Sequence, residues 1–182
     1  MSSWAEESEN YRMPITRTAD SLSDDISELA DTECIHFEGL AKSMSGRGSE
    51  PKCVDCMIVS RDRVHLVEFK PLPSGKDDGI QCSLHLKATE SAVLYIRFLS
   101  ERYGDKVDFI LVTQDNRRDL VGPIASRAGM TADSRLSRYR KHDINGDTMF
   151  YDDVMAMGCR EFVAFVRKRA CRQGTDRRAV GQ

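Results

Sequence analysis

Three side chains between residues 52 and 70 stand at a spacing that could do chemistry: Asp55, then, after twelve intervening residues, Glu68, and Lys70 two positions beyond. They lie in or beside two β-rich runs, Cys53 to Val59 and Val64 to Phe69, separated by the polar stretch Ser60-Arg61-Asp62-Arg63. That pattern predicts a hairpin, although Arg-Asp is not a favoured turn pair. A regular hairpin centred between Arg61 and Asp62 sets Met57 against Leu66 and Val59 against Val64 on one face. On the other face it sets Val54 against Phe69 and Cys56 against Val67. These pairs are apolar on both faces, so the register is self-consistent. It places Asp55 directly opposite Glu68, with Lys70 projecting from the same face.

Carboxylates directly opposite each other on paired strands repel. Burying them uncompensated in an otherwise apolar hairpin costs more still. A cation therefore belongs between them. Lys70 supplies one positive charge, and a divalent metal would supply more. Mg²⁺ prefers one or two carboxylate oxygens, with waters and a substrate phosphate completing its octahedron. Such a metal lowers the pKa of a bound water and stabilises developing negative charge, while the lysine orients water or phosphate. The chemistry expected is hydrolysis of a phosphodiester.

Around this hairpin the chain reads as an α/β protein. Asp20-Ser21 predicts a capped helix to about Ala30, with Leu22, Ile26, Leu29 and Ala30 on one face. Cys34 to Phe37 reads as a short strand, and residues 43–51 as a loop. After Pro71 and Pro73 stop the second hairpin strand, a helix is expected from about Ser83 to Arg102, ended by Gly104. Val107 to Val112 has the short apolar run of a buried strand. Leu120 to Ala128 and Ser134 to Lys141 are expected as helices, Met149 to Met157 as a strand, and Arg160 to Cys171 as an amphipathic helix. The order α-β-β-β-α-β predicts a mixed β-sheet flanked by helices.

Asp55, the twelve-residue spacing, Glu68-Phe69-Lys70 and that element order together resemble the PD-(D/E)xK nuclease superfamily, over about residues 20–113. Val54 stands where the motif's name has Pro. The resemblance implies a restriction-endonuclease-like core and a nuclease dependent on Mg²⁺ or Mn²⁺. It implies Asp55 and Glu68 as metal ligands, with the Phe69 carbonyl as a further one, and Lys70 as the catalytic lysine. The family often adds an acid from the first helix, for which Glu28 is best placed and Glu33 second. Lys87 and Ser91, one turn apart on the long helix, are accessory candidates. The alternative is a catalytically inactive nuclease-fold module that binds nucleic acid or protein.

Length and composition agree with a single domain. With 182 residues, 40% hydrophobic and 31% charged, the chain is too apolar for disorder, and no stretch reaches the ~18 apolar residues of a spanning helix. The expected organisation is a flexible N-terminal arm over 1–18, a nuclease-like domain over 19–172 and a basic tail over 173–182. Acids near Met1, where a secretory signal has bases, point to a cytoplasmic protein. The net charge of −2 is uneven: residues 114–182 hold 14 Lys+Arg against 9 Asp+Glu, and residues 1–113 hold 13 against 20. Arg117, Arg118, Arg138, Arg140 and Lys141 are therefore the expected contacts to a nucleic-acid backbone, DNA before RNA. A homodimer would suit cutting both strands, though no sequence feature demands it.

The six cysteines lie mostly in apolar runs, which favours buried thiols over disulfides. Cys53-x-x-Cys56 with Cys82-x-x-His85 has zinc-knuckle spacing, but an offset of three in a strand points the first two side chains to opposite faces. His36, His65 and His142 show no ligand or catalytic pattern. No nucleophile elbow or phosphate-binding glycine loop is present.

Overall fold

A computed structural model of the chain describes residues 3–45, 50–61, 63–71, 78–114 and 151–176; of these, the side chains of residues 21, 78–85, 154 and 170–176 lie outside the description. Among the described residues the strands are β1 (Arg12–Pro14), β2 (Glu33–His36), β3 (Cys56–Val59), β4 (Val64–Phe69), β5 (Val107–Thr113) and β6 (Asp153–Gly158). They form one six-stranded sheet in chain order. The first three pairings are antiparallel and the last two parallel. The helices are α1 (Trp4–Glu7), α2 (Phe37–Met44), α3 (Asp78–Phe98), α4 (Ser100–Tyr103) and α5 (Cys159–Asp176). The fold is thus α/β, a mixed sheet flanked by helices. No helix among the described residues is long and apolar enough to cross a membrane.

Side-chain alternation along the strands feeds two core layers. Met57, Leu66 and Phe109 pack with Leu40, Ala88, Ala92, Tyr95 and Leu99, joining α2 and α3 to one face. Cys56, Val67 and Ile110 pack with Leu22, Ile26, Leu29, Phe162 and Val166, joining the N-terminal segment and α5 to the other. All six residues of β4 are buried, as expected of a strand covered on both faces. The parallel step from β4 to β5 needs a crossover, and α3 provides it.

The predicted hairpin register is the observed one: Cys56↔Val67, Met57↔Leu66 and Val59↔Val64. The expected Val54–Phe69 pair does not form. The ladder stops at Cys56, and the two residues enter different core layers. Their amides go elsewhere: the Val54 N–H donates to Ser91 Oγ and the Phe69 N–H to the Asp55 carboxylate.

Three further expectations change. Residues 20–30 form two 3₁₀ turns, Asp20–Leu22 and Ser27–Leu29, in place of one α-helix. Ser23, Asp24 and Asp25 disfavour a continuous helix, yet Leu22, Ile26 and Leu29 are buried as the spacing implies. The long helix breaks at Leu99, and Gly104 ends α4 at φ +96°, a conformation natural to glycine. Residues 3–18 carry α1, two 3₁₀ turns, Ser8–Tyr11 and Ile15–Arg17, and strand β1, which pairs with β2 as an edge. The helices expected over 120–128 and 134–141 lie outside the described residues.

Cys34, Cys53, Cys56 and Cys159 are buried free thiols. Cys53 and Cys56 sit in opposite core layers, which excludes their joining in a zinc knuckle. Leu66, fully buried between β3, β5 and α3, should report this core. Leu66→Ala should cost about 2–5 kcal/mol, whereas Val93→Ala, at a half-exposed position, should fall within about 0.5 kcal/mol of wild type in urea denaturation.

Candidate functional site

Asp55 lies one residue before β3, where the strand leaves its ladder, and two bonds fix it there. Its Oδ2 accepts the Phe69 N–H at 2.7 Å, so a carboxylate takes the place of a strand carbonyl. Its own carbonyl accepts the Phe37 N–H at 3.1 Å. The preceding residue is held from α3, where the fully buried Ser91 hydroxyl accepts the Val54 N–H at 2.9 Å. Glu68, opposite Asp55 on β4, is fully buried.

Both acids project from the sheet face that α3 covers, and α3 answers with Lys87. Its Nζ lies 3.3 Å from Asp55 Oδ1 and 3.0 Å from Glu68 Oε2, bridging the two carboxylates. Lys70, one third exposed, reaches the other oxygen of Glu68 at 3.5 Å. That is an ion pair only: Glu68 Oε1 is buried with no hydrogen-bond partner among the described residues. A cleft of about 190 Å³ opens against this cluster. Asp55, Lys70, Lys87 and Glu38 line it, together with Thr18 and Asp20 of the N-terminal segment.

Burial dominates the electrostatics. It pushes the Glu68 carboxyl up from an ordinary 4.5 to about 7, reinforced by the Asp55 charge and opposed by Lys87 and Lys70. Asp55 is likewise raised by burial, partly offset by Lys87 and the Phe69 N–H. For Lys87 burial favours the neutral amine, but the attraction of Glu68 and Asp55 outweighs it and the ammonium is held more firmly than usual. Burial would raise Glu38 too, yet Lys42, 2.8 Å away, and Lys87 bring it below its ordinary value.

The sequence-predicted residues divide clearly. Asp55, Glu68, Lys70 and Lys87 converge. Ser91 anchors the chain beside Asp55 rather than lining the cleft. Glu28 does not belong: it is largely exposed and pairs with Arg167 on α5 at 2.6 Å. Glu33 lines a separate depression beside Phe165 and Arg169. The helix-borne acid at the cleft is Glu38 on α2, unforeseen because that helix was unforeseen. Its signal was the Glu38–Lys42 spacing beside Phe37, Leu40 and Ala41. Arg117, Arg118, Arg138, Arg140 and Lys141 lie outside the described residues. His65 is a core residue, fully buried with Nδ1 3.1 Å from Asp108 Oδ2.

Hard oxygen donors facing one another, one of them buried and unsatisfied, suit a divalent cation of the Mg²⁺ type. Among the described residues no group of three or more His, Cys, Asp or Glu side chains is set to hold a metal. A metal here would use Asp55 and Glu68, with the Phe69 carbonyl, waters or substrate completing its shell. No protein-family model, curated protein or solved structure matches the chain.

The raised Glu68 carboxyl has a consequence for stability. Ionised Glu68 is disfavoured by folding, so the native state loses stability as pH rises from about 4.5 to about 7. With chelator present, the stability of wild type relative to Glu68→Gln should fall by on the order of 3 kcal/mol across that range. Urea denaturation at several pH values measures it; a flat difference would show that Glu68 is not held in a low-dielectric site.

Proposed function

We propose that this chain is a divalent-metal-dependent nuclease that hydrolyses nucleic-acid phosphodiester bonds at an Asp55/Glu68-x-Lys70 site. One observation carries the reading. Two carboxylates from adjacent strands meet two lysines at the wall of a cleft, and a buried oxygen of one carboxylate lacks a hydrogen-bond partner. The antiparallel succession β2-β3-β4, crossover α3 and parallel β5 support the reading, while the expected first helix is two 3₁₀ turns and α2 lies between β2 and β3.

In this reading Asp55 and Glu68, with the Phe69 carbonyl, hold Mg²⁺ or Mn²⁺. The metal, when bound, supplies Lewis acidity and a lowered water pKa. The protein's own part is orientation. The Phe69 N–H fixes the Asp55 carboxylate, so little reorganisation is needed to hold the ion. Lys70, the more exposed lysine, stands at the cleft with its ammonium beside Glu68. From there it orients the attacking water or neutralises a phosphate oxygen. Arg117, Arg118, Arg138, Arg140 and Lys141 are the proposed backbone contacts, with DNA the first substrate to try.

A second reading has its own observation. Lys87 already bridges both carboxylates, as it would in a nuclease-like module that has no metal chemistry and only binds a partner.

Purified protein should cleave duplex DNA, single-stranded DNA or RNA with Mg²⁺ or Mn²⁺, and chelator should abolish cleavage. Asp55→Asn and Lys70→Ala should each lower the rate by about 10²-fold or more with the fold retained by circular dichroism. Salt-sensitive binding without cleavage under either metal would favour the module.

A further inference from the structure

The cluster holds more positive charge than hydrolysis by one lysine requires, and the two lysines are placed differently. Lys70 approaches a single oxygen of Glu68 from the cleft side at 3.5 Å and is 35% exposed. Lys87 is 13% exposed and contacts one oxygen from each carboxylate, at 3.3 and 3.0 Å. Its ammonium therefore stands between the two acids that would hold a divalent ion. An ammonium in that position and a divalent ion held by the same two carboxylates compete, because like charges repel at such range.

We infer that Lys87 is a displaceable internal cation, which closes the carboxylate pair in the metal-free protein and gives way when a divalent ion enters. The inference rests on the nuclease reading above insofar as it takes Asp55 and Glu68 as metal ligands. Glu38, paired with Lys42 at 2.8 Å, lines the same cleft as Lys87, so the released ammonium would have a carboxylate to share with Lys42. Lys87 also has the chemistry for displacement: a flexible stem carrying a compact charge, where an arginine's bidentate fork would lock the pair. Its origin on α3, not on the hairpin, lets it withdraw without disturbing the strand register that sets Asp55 against Glu68. The metal-free fold is thereby spared two facing uncompensated carboxylates, and the site is kept from empty collapse at the cost of some metal affinity.

The test titrates Mn²⁺ into metal-free wild type, Lys87→Met, Lys70→Met and Asp55→Asn by calorimetry. Acetylation of each lysine by an N-hydroxysuccinimide ester is followed by mass spectrometry with and without Mn²⁺. Lys87→Met should bind Mn²⁺ at least about tenfold more tightly than wild type, and more tightly than Lys70→Met, which reports the repulsion of a nearby charge without displacement. In wild type, Mn²⁺ should raise acetylation of Lys87 severalfold while the other lysines serve as internal standards. Mn²⁺ binding that Asp55→Asn abolishes, with Lys87→Met no tighter than Lys70→Met or with Lys87 acetylation unchanged, leaves the metal site standing and overturns the exchange. Absence of Mn²⁺ binding to wild type and to Lys87→Met alike overturns both. Should Lys87→Met fail to fold without metal, wild-type acetylation decides alone: a rise on Mn²⁺ supports displacement, and no rise overturns it.

Discussion

Everything at the candidate site follows from one constraint: two carboxylates are brought together at the β3–β4 hairpin, one of them cut off from water. Glu68 is fully buried, and Asp55 is 16% exposed at the cleft. Burying one ionised carboxylate costs several kcal/mol, and a second like charge beside it adds to that. The fold answers with an ammonium on each side of Glu68 and an amide hydrogen on Asp55. The compensations come from two elements. The hairpin supplies the amide and Lys70, and the crossover helix supplies Lys87.

Those elements in turn need the rest of the sheet. The β3–β4 hairpin could not hold Glu68 dry alone. Parallel β5 covers its other side, and the backbone of Lys70 is tied to that strand by its N–H donating to the Val112 carbonyl at 2.9 Å. The N-terminal segment closes the remaining wall, where Thr18, Ala19 and Asp20 line the cleft. Asp20 does so from the left-handed region, at φ +42°, a conformation uncommon outside glycine. A segment whose composition reads as loose thus contributes both an edge strand and part of the cleft.

What could be read from residues alone was whatever local pattern decides. The alternation of Met57, Val59, Val64 and Leu66 sufficed to set the register; Asp55 and Glu68 lie just past its last pair, Cys56 and Val67, where Lys87 joins them. Lys87 follows from the resemblance alone, which implies polar groups on the helix after β4. Glu38 does not, and Gly39 in the first turn of its helix argues locally against one. The structure shows why a glycine belongs there: a Cβ at that position would come within 2.6 Å of the His36 ring and 3.2 Å of Tyr11. Glu28 was misplaced for the complementary reason. Its segment is apolar at helical spacing, but its Ser and Asp residues break it into 3₁₀ turns, and Glu28 pairs with α5 instead. At Gly39 tertiary contacts outweigh local preference, and at Glu28 local preference outweighs the apolar spacing.

Strand β4 and its neighbour β5 carry a second buried acid, and the comparison separates a structural ion pair from a site. Near the start of β4, Asp108 of β5 has both oxygens accepting from the Arg63 guanidinium at 2.8 Å, with His65 at 3.1 Å. Burial there is outweighed by its partners His65 and Arg63, and Asp108 is held below its ordinary pKa. At the other end Glu68 has two ammonium neighbours, yet one oxygen remains without a hydrogen bond and its carboxyl is pushed up to about 7. The same sheet therefore closes both oxygens of one carboxylate with a single guanidinium nitrogen and leaves one oxygen of the other without a hydrogen bond among the described residues. The saturation at Asp108 is itself partial, since both ring nitrogens of His65 are buried without a hydrogen-bond partner among the described residues. An unpaired buried atom therefore does not by itself separate the two ends; what sets the Glu68 end apart is the cleft beside it, lined by Asp55, Lys70 and Lys87.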